Sequence, residues 1–366
     1  MKKIFYIVGT RPEAIKVAPV ILESLKHKDK IETIILSTGQ HKEMLQQVMD
    51  IFSLHPNIEL NLMKESQTLS SLTADLFKSF DQEVIKHKPD WIVAQGDTTS
   101  VMVASIIAYY HKIKFAHIEA GLRTGDLYRP FPEELNRIIA DLVADLMLAP
   151  TKRNKDTLLK TVVKKDCKIE VVGNTVIDAI NIVKDISFEW NESKLSDIDL
   201  DKKIILITAH RRESFGDDFN DMIKAIKFLA QKHKNIQFVF PVHLNPNVKK
   251  PVFDNLLDVK NIYLLKPLDY LTMVQIMSKA DLVLTDSGGI QEEVPTFGTP
   301  LLVMRSETER QEGIEAGVAK LVGTDAKVII REVENVISSG FKKHKITNPY
   351  GDGKSSERIV DLLINS

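Results

Sequence analysis

The chain has 366 residues, 43% of them hydrophobic and 27% charged, enough apolar material for two cores. Lys and Arg number 49 against 50 Asp and Glu, so no overall charge excess points to nucleic acid or a membrane surface. The one cysteine, Cys167, excludes an internal disulfide and reads as a packing residue. The first apolar run leads into Gly9-Thr10-Arg11-Pro12-Glu13 without a small-residue cleavage site, and no stretch approaches the ~20 apolar residues of a membrane span. A cytoplasmic location is expected.

Short apolar runs alternate with longer amphipathic stretches. Ile4–Val8, Thr33–Leu36, Trp91–Ala94, Phe115–Ile118, Leu146–Leu148 and Ile169–Val172 are predicted to be buried parallel strands. The first helix is predicted from Ala14, Val17, Ala18, Ile21, Leu22 and Leu25 at helical spacing. The polar stretch Trp190–Lys203 interrupts the pattern, which resumes with Ile204–Thr208, Ile236–Phe240, Ile262–Leu265, Leu282–Thr285, Leu301–Val303 and Leu321–Val322. A final helix is predicted over Lys354–Ile364. Strands separated by helices imply βαβ units and hence an α/β fold with two Rossmann-like, doubly wound halves. Ligand chemistry is then expected in the loops that follow strands, at a cleft.

The first such loop, Gly9-Thr10-Arg11-Pro12-Glu13, is followed by Lys16. It lacks the three glycines of a dinucleotide fingerprint. Thr10 and Glu13 have capping-box spacing. Arg11 and Lys16 oppose the helix dipole unless an anion sits there, which points Arg11 at a diphosphate. Asp97 follows the strand Trp91–Ala94, where it could cap the next helix; Glu119 follows Phe115–Ile118; Glu133 and Glu134 follow Pro132 at a helix start. Acidic residues on neighbouring loops suit general acid–base work, because crowded carboxylates raise one another's pKa.

In the second half His210 ends a strand and is followed by two arginines, Arg211 and Arg212. No His and Glu spacing matches a metal motif, and no metal or cofactor is assigned. The segment Thr285-Asp286-Ser287-Gly288-Gly289 closes a strand and opens a helix, so Gly288 and Gly289 would let backbone N–H groups approach a phosphate, with Ser287 as donor or cap. Glu293, one turn along, is placed to accept ribose hydroxyls, while Glu292 reads as helix-dipole complementarity; Arg305, Thr308, Glu309 and Arg310 add polar groups to the same rim.

The strings GTRPEAIKVAP, QGDTTS, HIEAGLRTGDLYRPFPEELNR, GNTVIDA, AHRRESFG, PVHLNPNV, TDSGGIQEE, LVMRSETER and NPYGDG run in order from residue 9 to 353. Together they resemble the bacterial non-hydrolysing UDP-N-acetylglucosamine 2-epimerases over essentially the whole chain. The resemblance implies a GT-B architecture: residues 1–172 joined by the helix 354–366, then residues 173–353 as the UDP-binding domain. It also implies a homodimer, no nicotinamide, and a reaction in which UDP leaves C1 as the C2 proton is removed. Asp97, Glu119, Glu133 and His210 match catalytic positions; Arg11, Lys16, Arg137, Ser287, Gly288, Gly289, Glu293 and Arg310 match substrate-binding ones. Gln40, Gln67, Glu134, Arg211 and His243 match the site where some members bind an activating second UDP-GlcNAc, but Ser66 stands where those members have Arg. Gln311 stands where Pro is usual, and Val294 and Phe297 replace smaller residues. A glycosyltransferase of the same fold, a hydrolysing epimerase, a non-catalytic sensor and an epimerase of another UDP-sugar are the competing readings.

Overall fold

Thirteen strands carry the fold among the described residues, and the central ones of each sheet are almost unbroken apolar runs because helices cover both faces of the sheet. The computed structural model describes residues 1–39, 42–62, 67–161, 164–345 and 347–366. The chain divides into two units, Met1–Ala179 with Tyr350–Ser366, and Ile180–Pro349.

In the first unit the strands are β1 (Lys2–Val8), β2 (Ile31–Ser37), β3 (Ile58–Glu59), β4 (Trp91–Gln95), β5 (Lys114–Ile118), β6 (Leu146–Ala149) and β7 (Lys168–Val171). They form one parallel sheet in the order β3-β2-β1-β4-β5-β6-β7. In the second unit, β8 (Lys203–Thr208), β9 (Ile236–Pro241), β10 (Ile262–Leu265), β11 (Leu282–Thr285), β12 (Leu301–Val303) and β13 (Ala319–Leu321) take the order β10-β9-β8-β11-β12-β13. Both orders place the first strand of the unit beside the fourth, so the winding reverses between β1 and β4 and again between β8 and β11. At such a reversal the loops leaving the two strands diverge and open a crevice at the carboxyl ends.

The side chains alternate across each sheet. Phe5 and Ile7 of β1 pack with Leu72, Leu76 and Phe80 of the helix Leu69–His87 and with Val101 and Ala104 of the helix Thr99–His111. Ile4, Tyr6 and Val8 are equally buried on the opposite face. Burial of each large apolar side chain contributes about 1.5–3 kcal/mol. The helix Ser355–Asn365 closes the first unit by packing on the helix Arg11–Ser24. At its start the Ser356 N–H donates to Asp178 Oδ1 at 2.7 Å. At its end Lys2 Nζ donates to the carbonyls of Leu363 (3.0 Å), Ile364 (2.8 Å) and Ser366 (2.6 Å).

The structure departs from the sequence expectations in small ways. The strand Ile58–Glu59 is two residues long and half exposed, too short for any periodicity to register. The last strand is Ala319–Leu321 rather than Leu321–Val322. Cys167 lies just before β7 and packs, half-buried, against the core of the first unit. Among the described residues no helix is long and apolar enough to cross a membrane.

Candidate active site

The loops after β1, β4 and β5 meet at the reversal in the first unit, and hydrogen bonds tie each to the next. Glu13 sits in the first turn of the helix Arg11–Ser24, buried. Its Oε2 accepts from the Thr10 N–H (2.6 Å) and the Gly9 N–H (3.2 Å), and its Oε1 from Thr98 Oγ1 (2.7 Å). Burial, helped by the charge of Asp97 and opposed by these donors, raises the Glu13 carboxyl to about 7. A Cβ at Gly9 would lie 2.9 Å from Thr38 Oγ1 and 3.0 Å from Glu13 Oε2, so a larger residue there would have to displace those side chains.

Thr98, not Asp97, caps the helix Thr99–His111, its hydroxyl accepting from the Val101 N–H. Asp97 is thereby free of the capping duty the sequence allowed it. Its Oδ2 accepts from Arg137 Nε (2.9 Å) and lies 2.7 Å from Arg137 Nη2, and its carbonyl accepts from Asn136 Nδ2 (2.8 Å). Arg137 and Asn136 lie on the helix Glu133–Val143. Glu119 follows β5 with φ +67°, a left-handed conformation that strains a residue with a side chain, by about 1–3 kcal/mol. Lys16 Nζ donates to Glu119 Oε1 at 2.7 Å, and Gln95 Nε2, at the end of β4, donates to Glu119 Oε2. Glu133 opens its helix with Oε2 buried and without a hydrogen-bond partner among the described residues.

Lys16, matched by the resemblance to a substrate-binding position, ion-pairs with Glu119, and Arg137 braces Asp97. Arg11 is exposed. Glu134 is 1% exposed and accepts from the Thr124 and Gly125 N–H groups and from Arg137. Gln67 bonds Leu62 and Asp75, while Gln40 and Ser66 lie outside the described residues.

In the second unit the loops after β8 and β11 meet at the other reversal. Asp286 Oδ2 accepts from the N–H groups of His210 (2.7 Å) and Arg211 (2.8 Å), which fixes one loop on the other. His210 Nδ1 lies 3.4 Å from Asp286 Oδ1, and the ring stacks on His243 at 5.6 Å. Burial, with help from Arg211 and His243 and against Asp286, lowers the His210 pKa. Burial and the neighbouring Arg305 and Arg310 likewise lower Arg211. The Nε atoms of Arg211 and Arg305 are buried without an acceptor among the described residues. A buried donor left so costs about 1–3 kcal/mol, which a bound anion would recover.

Ser287 makes no capping hydrogen bond to the helix Gly288–Glu293. A Cβ on Gly288 would lie 3.1 Å from the Arg310 guanidinium carbon and 3.4 Å from Arg211 Nη2. The dipole reading of Glu292 is overturned: the helix has six residues, Glu292 lies near its C-terminal end, and its Oε1 accepts from Arg310 Nε (3.0 Å) and Nη2 (2.9 Å). A second carboxylate, Glu309, accepts from Arg310 Nη1 at 2.6 Å. Glu293 is buried on the last position of this helix.

The family model described as UDP-N-acetylglucosamine 2-epimerase matches residues 23–364. The chain belongs to this family. It is 44% identical to the UDP-N-acetylglucosamine 2-epimerase of Escherichia coli (strain K12), with 100% of this chain and 99% of that protein covered. It is also 44% identical to the Bacillus subtilis (strain 168) enzyme of that name, with 99% and 95% covered. Its fold is similar to that of UDP-GlcNAc 2-epimerase from Neisseria meningitidis bound to UDP-GlcNAc, with TM-score 0.89, 42% identity and 100% of both chains covered. A sucrose-phosphate synthase from Thermosynechococcus elongatus, at 11% identity and TM-score 0.61, shares the fold alone. The epimerase is thus an isomerase, and its two Rossmann-like sheets are those of a GT-B-like fold.

The sequence reading gave no role to His117, Asp141 or Gln95, though all three lie within this network of the epimerase. The available signal was a histidine within the apolar run Phe115–Ile118 of the strand Lys114–Ile118. A polar residue there must find partners when buried.

Proposed function

We propose that this epimerase interconverts UDP-GlcNAc and UDP-ManNAc without net hydrolysis, through elimination and re-addition of UDP. A carboxylate takes the C2 proton as the C1–O bond breaks and its electron pair leaves with UDP, giving bound 2-acetamidoglucal. Protonation of C2 on the opposite face and return of the UDP oxygen to C1 complete the inversion. Nothing is oxidised overall, so no hydride carrier is required.

The observation that carries this reading is the partly buried hydrogen-bonded network in which Asp97, Glu119 and Glu133 stand on linked loops, with Glu133 Oε2 unpartnered among the described residues. Paired and unpaired carboxyl groups in one region provide both a proton acceptor and a proton donor. The cationic loops of the second unit, with Arg211 and Arg310 beside Gly288 and Arg305 neighbouring Arg211, are proposed to hold the diphosphate and to stabilise its charge as it departs. His210, Ser287 and Glu293 complete that nucleotide site in this proposal.

The test is incubation with UDP-GlcNAc in D₂O, followed by proton NMR. UDP-ManNAc bearing deuterium at C2 is the expected product. Free ManNAc would identify a hydrolysing enzyme, and an unchanged substrate would overturn the reading.

We also propose a cytoplasmic homodimer that supplies ManNAc units for cell-envelope polysaccharide. The helix Glu133–Val143 exposes Leu135, Ile138 and Leu142 at helical spacing, and the adjoining helix Thr99–His111 exposes Tyr109 and Tyr110. An exposed apolar stripe of this kind fits a second copy. Ile138→Glu is expected to give a monomer in light scattering; an unchanged mass would exclude this face.

A further inference from the structure

His117, on β5, has no exposed surface, and both its ring nitrogens face acceptors. Nδ1 lies 2.5 Å from Asp141 Oδ1, and Nε2 lies 2.7 Å from the Gly96 carbonyl oxygen. A carbonyl oxygen only accepts, so Nε2 carries a hydrogen. Asp141 Oδ2 accepts from the Arg123 guanidinium and from the Gly121 N–H at 3.3 Å, which holds that carboxyl ionised. Nδ1 therefore carries the second hydrogen. The charged and titratable groups facing the ring are Asp141 from the helix Glu133–Val143 and Arg123 from the loop after β5; the Phe115 ring stacks on it at 6.2 Å.

We propose that His117 is a buried imidazolium that acts as a positioning residue for epimerisation, holding together the two loops that carry Asp97 and Glu119. The inference rests on the acid–base reading of those two carboxylates. Through Nε2 it fixes Gly96, at φ +85°, whose next residue is Asp97. Through Asp141 it fixes Gly121 and Arg123, two and four residues beyond Glu119. Loss of a proton from Nε2 would set its lone pair against that of the Gly96 carbonyl and release the loop.

The balance of charges agrees with the geometry. Burial disfavours the charged ring, but the charge and hydrogen bond of Asp141 and the bond to Gly96 outweigh it, so the His117 pKa is raised. Burial opposes ionisation of Asp141, but His117 and Arg123 outweigh it and lower that pKa.

The first experiment needs no substrate. Protein labelled with ¹⁵N-histidine is titrated by NMR, and His117 is assigned by its loss in His117→Gln. Both ring nitrogens are expected to stay protonated above the ordinary imidazole midpoint of about 6.5. A neutral tautomer at that pH would overturn the inference whether or not the enzyme epimerises UDP-GlcNAc. The second experiment follows C2 deuterium exchange against pH in wild type and Asp141→Asn. Removing the negative charge is expected to move the His117 midpoint and the alkaline limb of kcat to lower pH together. A limb at the same pH in both enzymes would overturn the proposal. Folded His117→Gln is expected to lose about 10- to 100-fold in kcat with KM changed by less than about threefold, the signature of a misplaced acid–base group. Wild-type kcat in that variant would equally overturn it. Absence of exchange in the wild-type protein would instead defeat the parent reading and leave the NMR result standing.

Discussion

The two strand-order reversals of this molecule share a topology and differ in how their charges are satisfied. At β1 and β4, Glu13, Asp97 and Glu119 each receive hydrogen bonds from a residue on another loop or helix, so these carboxyl groups are held in place by the protein itself. At β8 and β11 the carboxylate of Asp286 is engaged by backbone N–H groups, and two guanidinium Nε atoms nearby are left without acceptors among the described residues. On the proposed function, the same crevice serves proton transfer in one unit and an anion in the other. Sheet topology decides where a ligand sits; the residue types on the loops decide what it is.

The largest effect is expected where the first unit is altered. Asp97→Asn, Glu119→Gln and Glu133→Gln should each reduce C2 deuterium exchange by about 10²–10⁴-fold, the usual weight of an acid–base group. UDP binding by calorimetry should change little. Exchange at wild-type rates in all three would remove these carboxylates from the chemistry.

Glu13 offers a test through stability. Its carboxyl titrates at about 7 in the folded protein against an ordinary value of 4.5. Between those two pH values the native state binds more protons than the unfolded one, so stability falls as pH rises from about 4.5 to about 7. The fall attributable to Glu13 is of the order of 3 kcal/mol. Glu13→Gln can still accept from the Gly9 and Thr10 N–H groups but does not titrate, and should flatten this part of the profile. Urea unfolding at pH 5 and pH 7.5 decides the matter; equal slopes in the two proteins would refute it.

The second unit is probed at Gly288. In Gly288→Ala the new Cβ would lie 3.1 Å from the Arg310 guanidinium carbon, so the guanidinium must shift. UDP affinity should fall by about tenfold, or ~1.4 kcal/mol, with kcat less affected. Unchanged affinity would mean that Arg310 gives way without consequence for the nucleotide. The smallest effect belongs to Lys2→Met, which leaves the last carbonyls of the helix Ser355–Asn365 without their cation. A loss of about 1 kcal/mol in thermal unfolding is expected, and no loss would show that water serves those carbonyls as well.

Much of this molecule was determined by the sequence alone. Apolar runs two to five residues long, divided by amphipathic stretches, fit buried strands between helix layers, and motifs such as the eleven-residue GTRPEAIKVAP carry the family resemblance directly. The loops bearing Asp97, Glu119, Ser287 and Gly288 could be placed after strands from the same pattern. The partners of these residues were decided only by the tertiary structure. Lys16 meets Glu119 across 103 positions, Thr98 meets Glu13 across 85, and His117 meets Asp141 across 24. Such pairs follow from the spatial order of strands, in which β1 lies beside β4 although two strands intervene in the chain. Periodicity reports which face of an element is buried, not which element lies against it. A carboxylate that reads as a helix cap or a dipole partner becomes a paired, buried or strained charge only when that neighbour is in place.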